Sequence, residues 1–169
     1  MNIIKFRTKI YDYFQASHKC QNFFFSDENE ERYSGYYTSM YLIQDTYEGL
    51  KAHRKKDFDK NTLLSYIEFW GIMQAIFIQQ DAISELFISV TNQKLDTKSL
   101  KKWHQLRDLR NICAGHPSKK DRPKGTPLTR TFMGRNFGNY RSFTYEQWQS
   151  PGNISHPTIK LDMLINEYE

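Results

Sequence analysis

Residues 97–117, TKSLKKWHQLRDLRNICAGHP, decide the fold. Leu100, Trp103, Leu106, Leu109 and Ile112 recur at steps of three, which puts them on one face of a helix. Asp96 or Thr97 can cap its start, Gly115 is the residue favoured just past a helix end, and Pro117 cannot continue one. The stretch predicts an amphipathic helix with His116 at its exit.

Upstream, Asp59 or Asn61 can cap a long helix running to about Asn92. Its segment Leu63–Ile78 is apolar nearly all round, so it has to be buried on most sides, in a bundle centre or partly in a subunit interface. Tyr36, Met40, Ile43, Tyr47 and Leu50 predict another helix over Tyr36–Lys56, ending in the basic run His53-Arg54-Lys55-Lys56, which suits the negative end of a helix dipole. The acidic, punctuated stretch Asn22–Tyr33 reads as a loop or an irregular start to that helix. Apolar positions 3, 6, 10, 13 and 14 predict a first helix within Asn2–Cys20.

Downstream the character changes. Ser118–Thr131 is rich in Lys, Arg, Pro and Gly and predicts a basic loop. Thr129–Arg135 and Tyr140–Tyr145 read as two short strands joined through Asn136-Phe137-Gly138-Asn139. Pro157 opens a last helix through Ile159, Leu161, Leu164 and Ile165, and the chain stops at Glu169 without a C-cap signal, so that helix frays or leads into further sequence. The expected architecture is mainly α: one domain over 1–169, an up-and-down bundle of four to five helices with a small β-hairpin or basic loop inserted after the motif helix.

The 169 residues are 38% hydrophobic and 15% aromatic, enough for one large-ringed core and not the composition of a disordered chain. Cys20 and Cys113 are too few for a disulfide framework, and no secretory signal follows Met1, which points to a reducing cytoplasm. The longest apolar run, Phe69–Ile78, is interrupted by Gln74 and falls well short of the roughly 20 residues a membrane span requires. Charge is polarised. Residues 98–141 hold twelve Lys and Arg against Asp108 and Asp121, a net of +10, while the whole chain carries +5. A basic region on an otherwise acidic chain suits a polyanion, with a merely solvated basic face as the plainer alternative.

Within this basic segment lie Arg110-Asn111 and His116, with five residues between the Arg and the His. An Arg followed at this spacing by a His, at the end of a long helix preceded by another, resembles the signature of the HEPN superfamily: Arg, four to six residues, His, with a polar residue often directly after the Arg. The specific match spans about seven residues, and the looser helical match covers roughly Asn61–Pro117. The resemblance implies a small helical bundle, commonly a homodimer, that in many members is a metal-independent endoribonuclease of toxin-antitoxin and anti-phage systems, with an antitoxin protein as a further partner.

Elementary chemistry agrees with that implication. RNA cleavage through the 2′-hydroxyl needs a base for that hydroxyl, an acid for the leaving 5′-oxygen and positive charge against the phosphorane. One imidazole cannot be acid and base at once; two copies meeting across a twofold axis supply both. In this reading His116 is the general acid or base, Arg110 clamps the phosphate with its planar fork, and Asn111 orients the imidazole or a phosphate oxygen. Lys119, Lys120, Arg122 and Lys124 bind the RNA backbone, Arg107 adds a phosphate contact, and Tyr140 or Phe143 stacks a base. The plain alternatives are a His capping helix carbonyls, an Arg110 paired with Asp108 or a neighbouring acid, an exposed Asn111, and an Arg107 on the solvated face. Asp81 either holds the Arg110 guanidinium or faces solvent.

No metal or cofactor is expected. Cys113, His116 and His104 do not make a zinc spacing, and neither a Gly-rich phosphate loop nor an acidic two-metal cluster is present. The competing function is a non-catalytic helical module that binds RNA or a partner protein. A third is a structural or regulatory domain of a larger chain.

Overall fold

The computed structural model describes residues 3–115, 129–149 and 152–169. It is mainly helical, with a small antiparallel sheet region. Six α-helices occur among the described residues: α1 (Ile3–Ala16), α2 (His18–Phe24), α3 (Glu30–Lys56), α4 (Thr62–Thr91), α5 (Lys101–Arg110) and α6 (Leu161–Tyr168). They divide between two compact units. Unit one holds residues 1–52, 75–100 and 169; unit two holds 53–74 and 101–168. Both α3 and α4 contribute residues to each.

Unit one differs from expectation at its start. Ser17 ends the predicted first helix and caps a second, its Oγ accepting from the Cys20 N–H at 3.3 Å. Asn22–Tyr33 is not a loop. α2 runs to Phe24, a single 3-10 turn covers Asp27–Asn29, and α3 begins at Glu30, six residues before the expected Tyr36. Two forces explain this. Phe24 is buried against Phe14 and Tyr36, with ring centroids 5.9 and 5.2 Å away, and Glu30 and Glu31 favour the positive end of the α3 dipole. Phe14, Phe24, Tyr36, Met40, Ile43, Ala82 and Leu86 form the core of the unit. Gly35 lets α3 close on α4, since a Cβ there would overlap the Ser89 hydroxyl. Arg32 closes the C-terminal end of α4, donating to the Ser89 and Val90 carbonyls at 2.9 Å each.

α4 starts where the sequence placed it. Of the two candidate caps it is Asn61 that acts, its Oδ1 accepting from the Leu63 N–H at 3.0 Å, while Asp59 Oδ1 accepts from the Asn61 N–H at 2.7 Å in the turn before the helix. Its far end is Asn92 in the left-handed conformation (φ 57°), and Asp57 (φ 65°) ends α3 in the same way. The apolar-all-round reading of α4 holds only in part: Leu63, Leu64, Ile67 and Trp70 in its first turns are exposed.

Unit two carries the β-structure, and the strand pairing differs from the predicted hairpin. β1 (Thr129–Phe132) pairs antiparallel with β3 (Glu146–Gln149), which pairs with β4 (Asn153–Ser155); β2 (Phe143–Thr144) pairs instead with β5 (Thr158–Ile159). The segment 136–145 is drawn inward rather than left as a strand beside β1. Phe143 stacks on Phe69 at 4.5 Å with nearly parallel planes, both fully buried, and Phe137 and Tyr140 pack around Phe58. Pro157 does not open a helix. Its carbonyl accepts from Tyr145 N–H, the chain stays extended through Thr158–Ile159, and α6 begins at Leu161, which is fully buried with Ile165. α5 starts at Lys101, later than expected, because Asp96 spends its side chain on the Lys98 N–H in a preceding turn. Trp103, Leu106 and Leu109 are its buried stripe, as the step-of-three pattern predicts.

Candidate functional site

Arg110 is the last α-helical residue of α5, and the chain does not stop there. It continues through a π-helical turn, Asn111–Gly115. An i→i+5 ladder stacks residue 115 on residue 110 rather than residue 114, and such turns are concentrated at functional sites. The effect on Arg110 is direct. A Cβ at Gly115 would lie 2.9 Å from Arg110 Nη1, so the guanidinium folds over the face that the glycine leaves bare. Gly115 was expected as a left-handed helix stop. The positive-φ glycines among the described residues are Gly138 and Gly152, and Gly115 serves as space for the arginine instead.

Two amides fix the guanidinium. Nη2 donates to Gln74 Oε1 of α4 and Nη1 donates to Asn111 Oδ1, each at 3.2 Å. All of these residues belong to unit two. Both acceptors are neutral amide oxygens, which orient the guanidinium through directed hydrogen bonds. Asn111 Oδ1 accepts a hydrogen bond from the Arg110 guanidinium. Gln74 was missed as a site residue, although the sequence carried its signal: it is the single polar interruption of the apolar run Phe69–Ile78. Asp81, the acid considered for that role, is exposed on α4.

The other candidates separate. Arg107 lies with its guanidinium carbon 5.8 Å from the centroid of the buried Trp103 ring, so part of its role is to cover the α5 core. His116, Lys119, Lys120, Arg122 and Lys124 lie outside the described residues. Tyr140 and Phe143 do not offer a face to an RNA base: Tyr140 is 5% exposed and Phe143 not at all. They were misassigned because an aromatic in a polar, glycine-bearing segment reads as surface, whereas both are anchors of the unit-two core. Among the described residues of the basic segment, Lys98, Lys101, Arg130, Arg135 and Arg141 are exposed.

Cys113, inside the π-helical turn, is buried, and burial pushes its thiol up to about 12. A thiol kept protonated in this way is neither a nucleophile nor a ready metal ligand. Among the described residues no three His, Cys, Asp or Glu side chains are grouped to hold a metal ion.

Two further features of unit two went unread in the sequence. His53, seen only as part of a basic helix end, is half-buried between Tyr140 and Glu68: Nδ1 lies 2.8 Å from the Tyr140 hydroxyl and Nε2 3.4 Å from Glu68 Oε2. Burial pushes the Tyr140 hydroxyl well above its ordinary range, so it stays protonated. Burial also pushes Glu68 up, but hydrogen bonds from Lys56, the Asp59 N–H and His53 outweigh it and hold the carboxyl below its usual range. The second feature is a cavity of about 420 Å³ lined by Leu109, Ile112, Tyr145, Ile159, Met163 and Leu164, with the Lys102–Glu167 ion pair (2.5 Å) among its polar walls. Arg110 does not line it.

No protein-family model, no curated protein and no solved structure matches this chain.

Proposed function

We propose that the protein is a metal-independent endoribonuclease that cleaves RNA by 2′-hydroxyl attack, with a site composed of Arg110 and His116 from two copies of the chain. A toxin or abortive-infection effector is the role that such an activity fits. The observation that carries this reading is the arginine oriented by Gln74 and Asn111 over the bare face of Gly115, the residue directly before His116 in the sequence. A pre-oriented guanidinium is what stabilisation of a pentavalent phosphate requires, because no reorganisation is then left for the moment of reaction. Asn111 belongs to the site as the residue that positions Arg110. The need for a second copy has support too. Leu63, Ile67 and Trp70 are exposed at helical spacing along the face of α4 that continues to Gln74, an apolar stripe leading to the arginine.

The test is cleavage of labelled RNA by purified protein in EDTA. Wild type is expected to cut, leaving 2′,3′-cyclic phosphate ends, while Arg110→Ala and His116→Ala abolish cutting. Equal cleavage by wild type and His116→Ala rules the reading out. The second reading, a non-catalytic RNA- or partner-binding module, draws on the 420 Å³ apolar cavity beside α5, which is in the size range of binding sites. RNA retention without product, the same in wild type and His116→Ala, favours it.

A further inference from the structure

Unit one contains a concave site of different chemistry, independent of the nuclease reading. Arg7 and Tyr11 of α1 and Tyr33, Tyr36, Tyr37 and Tyr41 of α3 line a cavity of about 140 Å³. The i,i+4 spacing sets Tyr33, Tyr37 and Tyr41 in a row, with successive ring centroids 6.0 and 4.8 Å apart. Tyr11, Tyr37 and Tyr41 are about half exposed, so the row is open to solvent. This is a cluster of aromatic faces gathered around one cation.

Arg7 is held in place. Its Nε donates to the Met40 carbonyl at 3.2 Å, and its guanidinium carbon lies 5.2 Å from the Tyr11 ring centroid. That leaves both terminal nitrogens without a hydrogen-bond acceptor or carboxylate among the described residues. Tyr36 adds a second unsatisfied group. The residue is 5% exposed, and its hydroxyl is buried without a hydrogen-bond partner among the described residues. Buried hydroxyls of this kind are rare in native proteins and call for an acceptor. Arg7 is close enough to act on that hydroxyl: burial pushes Tyr36 up to about 12 while the guanidinium pulls the other way. Two donors thus lack an acceptor beside a wall of rings.

Size limits the ligand. An apolar cavity of about 150 Å³ accommodates one benzene ring, so 140 Å³ takes a single six-membered ring and excludes a fused bicycle. We propose that this pocket binds one six-membered aromatic ring bearing an anionic group, the ring against Tyr37 and Tyr41 and the anion on Arg7 and the Tyr36 hydroxyl. The same chemistry comes from two sources, an aromatic carboxylate or a pyrimidine nucleoside monophosphate.

The experiment is titration calorimetry of the full chain with 4-hydroxybenzoate, with uridine monophosphate and with neutral benzamide. One of the two anions is expected to bind saturably and benzamide at least about tenfold more weakly, the scale of one charge-assisted hydrogen bond. The tighter anion identifies the source. Arg7→Gln and Tyr36→Phe should each weaken binding, the first by about tenfold or more. Because Arg7 also holds Met40, the half-exposed Tyr41→Ala serves as the variant that leaves the helix contacts intact, and it too should weaken binding. No saturable binding of either anion up to about 10 mM, where interactions of only a few kcal/mol still register, overturns the proposal. Binding that is unchanged in Arg7→Gln and Tyr41→Ala overturns it equally.

Discussion

At the scale of single residues, Gly115 is the one most tightly bound to the proposed site. Its backbone is not in the left-handed region, so alanine is tolerated by the chain, and the Cβ meets only the end of a flexible side chain. Gly115→Ala is therefore expected to leave thermal stability nearly unchanged while pushing the Arg110 guanidinium aside. RNA cleavage should fall by on the order of ten- to a hundredfold, the cost of misplacing a catalytic group by about 1 Å. Cleavage rates beside a melting curve check this, and an unaltered rate would detach Arg110 from the chemistry. The place of Arg110 at the end of α5 was legible in the sequence; the use of Gly115 as space for its guanidinium was not. A glycine before a proline looks like a helix stop; that it makes room for an arginine depends on a π-helical turn, which no step-of-three pattern announces. Gln74 was visible as an interruption but not as a partner, because it lies 36 positions from Arg110 in the chain.

At the scale of elements, the end of α3 is tied to α4 and to the segment before β2 through Glu68. The ion pair with Lys56 at 2.6 Å, the Asp59 N–H at 2.7 Å and the His53 ring all favour the carboxylate. Its folded pKa is depressed, so its contribution to stability is complete above the ordinary glutamate value of about 4.3 and is lost as pH falls through the lower folded value. The stability difference between wild type and Glu68→Gln, measured by urea unfolding, should shrink as pH drops below about 4.3. A difference constant from neutrality to that range would show that the carboxylate charge is not what holds the helix ends. Helices α3, α4 and α5 were legible because Met40, Ile43, Leu106 and Leu109 repeat at helical spacing, and Asn61 is a cap with its partner two residues away. Strand pairing was not. β2 is two residues long, and its partner β5 sits beyond β3 and β4, so nothing local specifies it. The turn at Gly138-Asn139 does form, with Gly138 at positive φ and Asn139 Oδ1 accepting from the Arg141 and Ser142 N–H groups, but burial of Phe137, Tyr140 and Phe143 around Phe58 and Phe69 decided the path of the segment on either side of it.

At the scale of the whole molecule, the proposed site, composed from two copies, would make activity depend on concentration. Cleavage per protomer should fall on dilution below the dimer dissociation constant, and Ile67→Glu, which puts a charge into the exposed stripe of α4, should move that fall to higher concentration. Activity strictly proportional to protein over about a thousandfold dilution would require each chain to carry a complete site. The basic segment and the acidic remainder were readable from composition alone, but the division into two compact units was not, since α3 and α4 run without a break through the residues where it falls. That division has a spectroscopic corollary. All three tryptophans, Trp70, Trp103 and Trp148, belong to unit two, while unit one contains seven of the eleven tyrosines and no tryptophan. Excitation at the red edge, where only indole absorbs, thus follows one half of the protein, and the tyrosine signal is weighted toward the other, so a single unlabelled sample reports whether the two halves melt together.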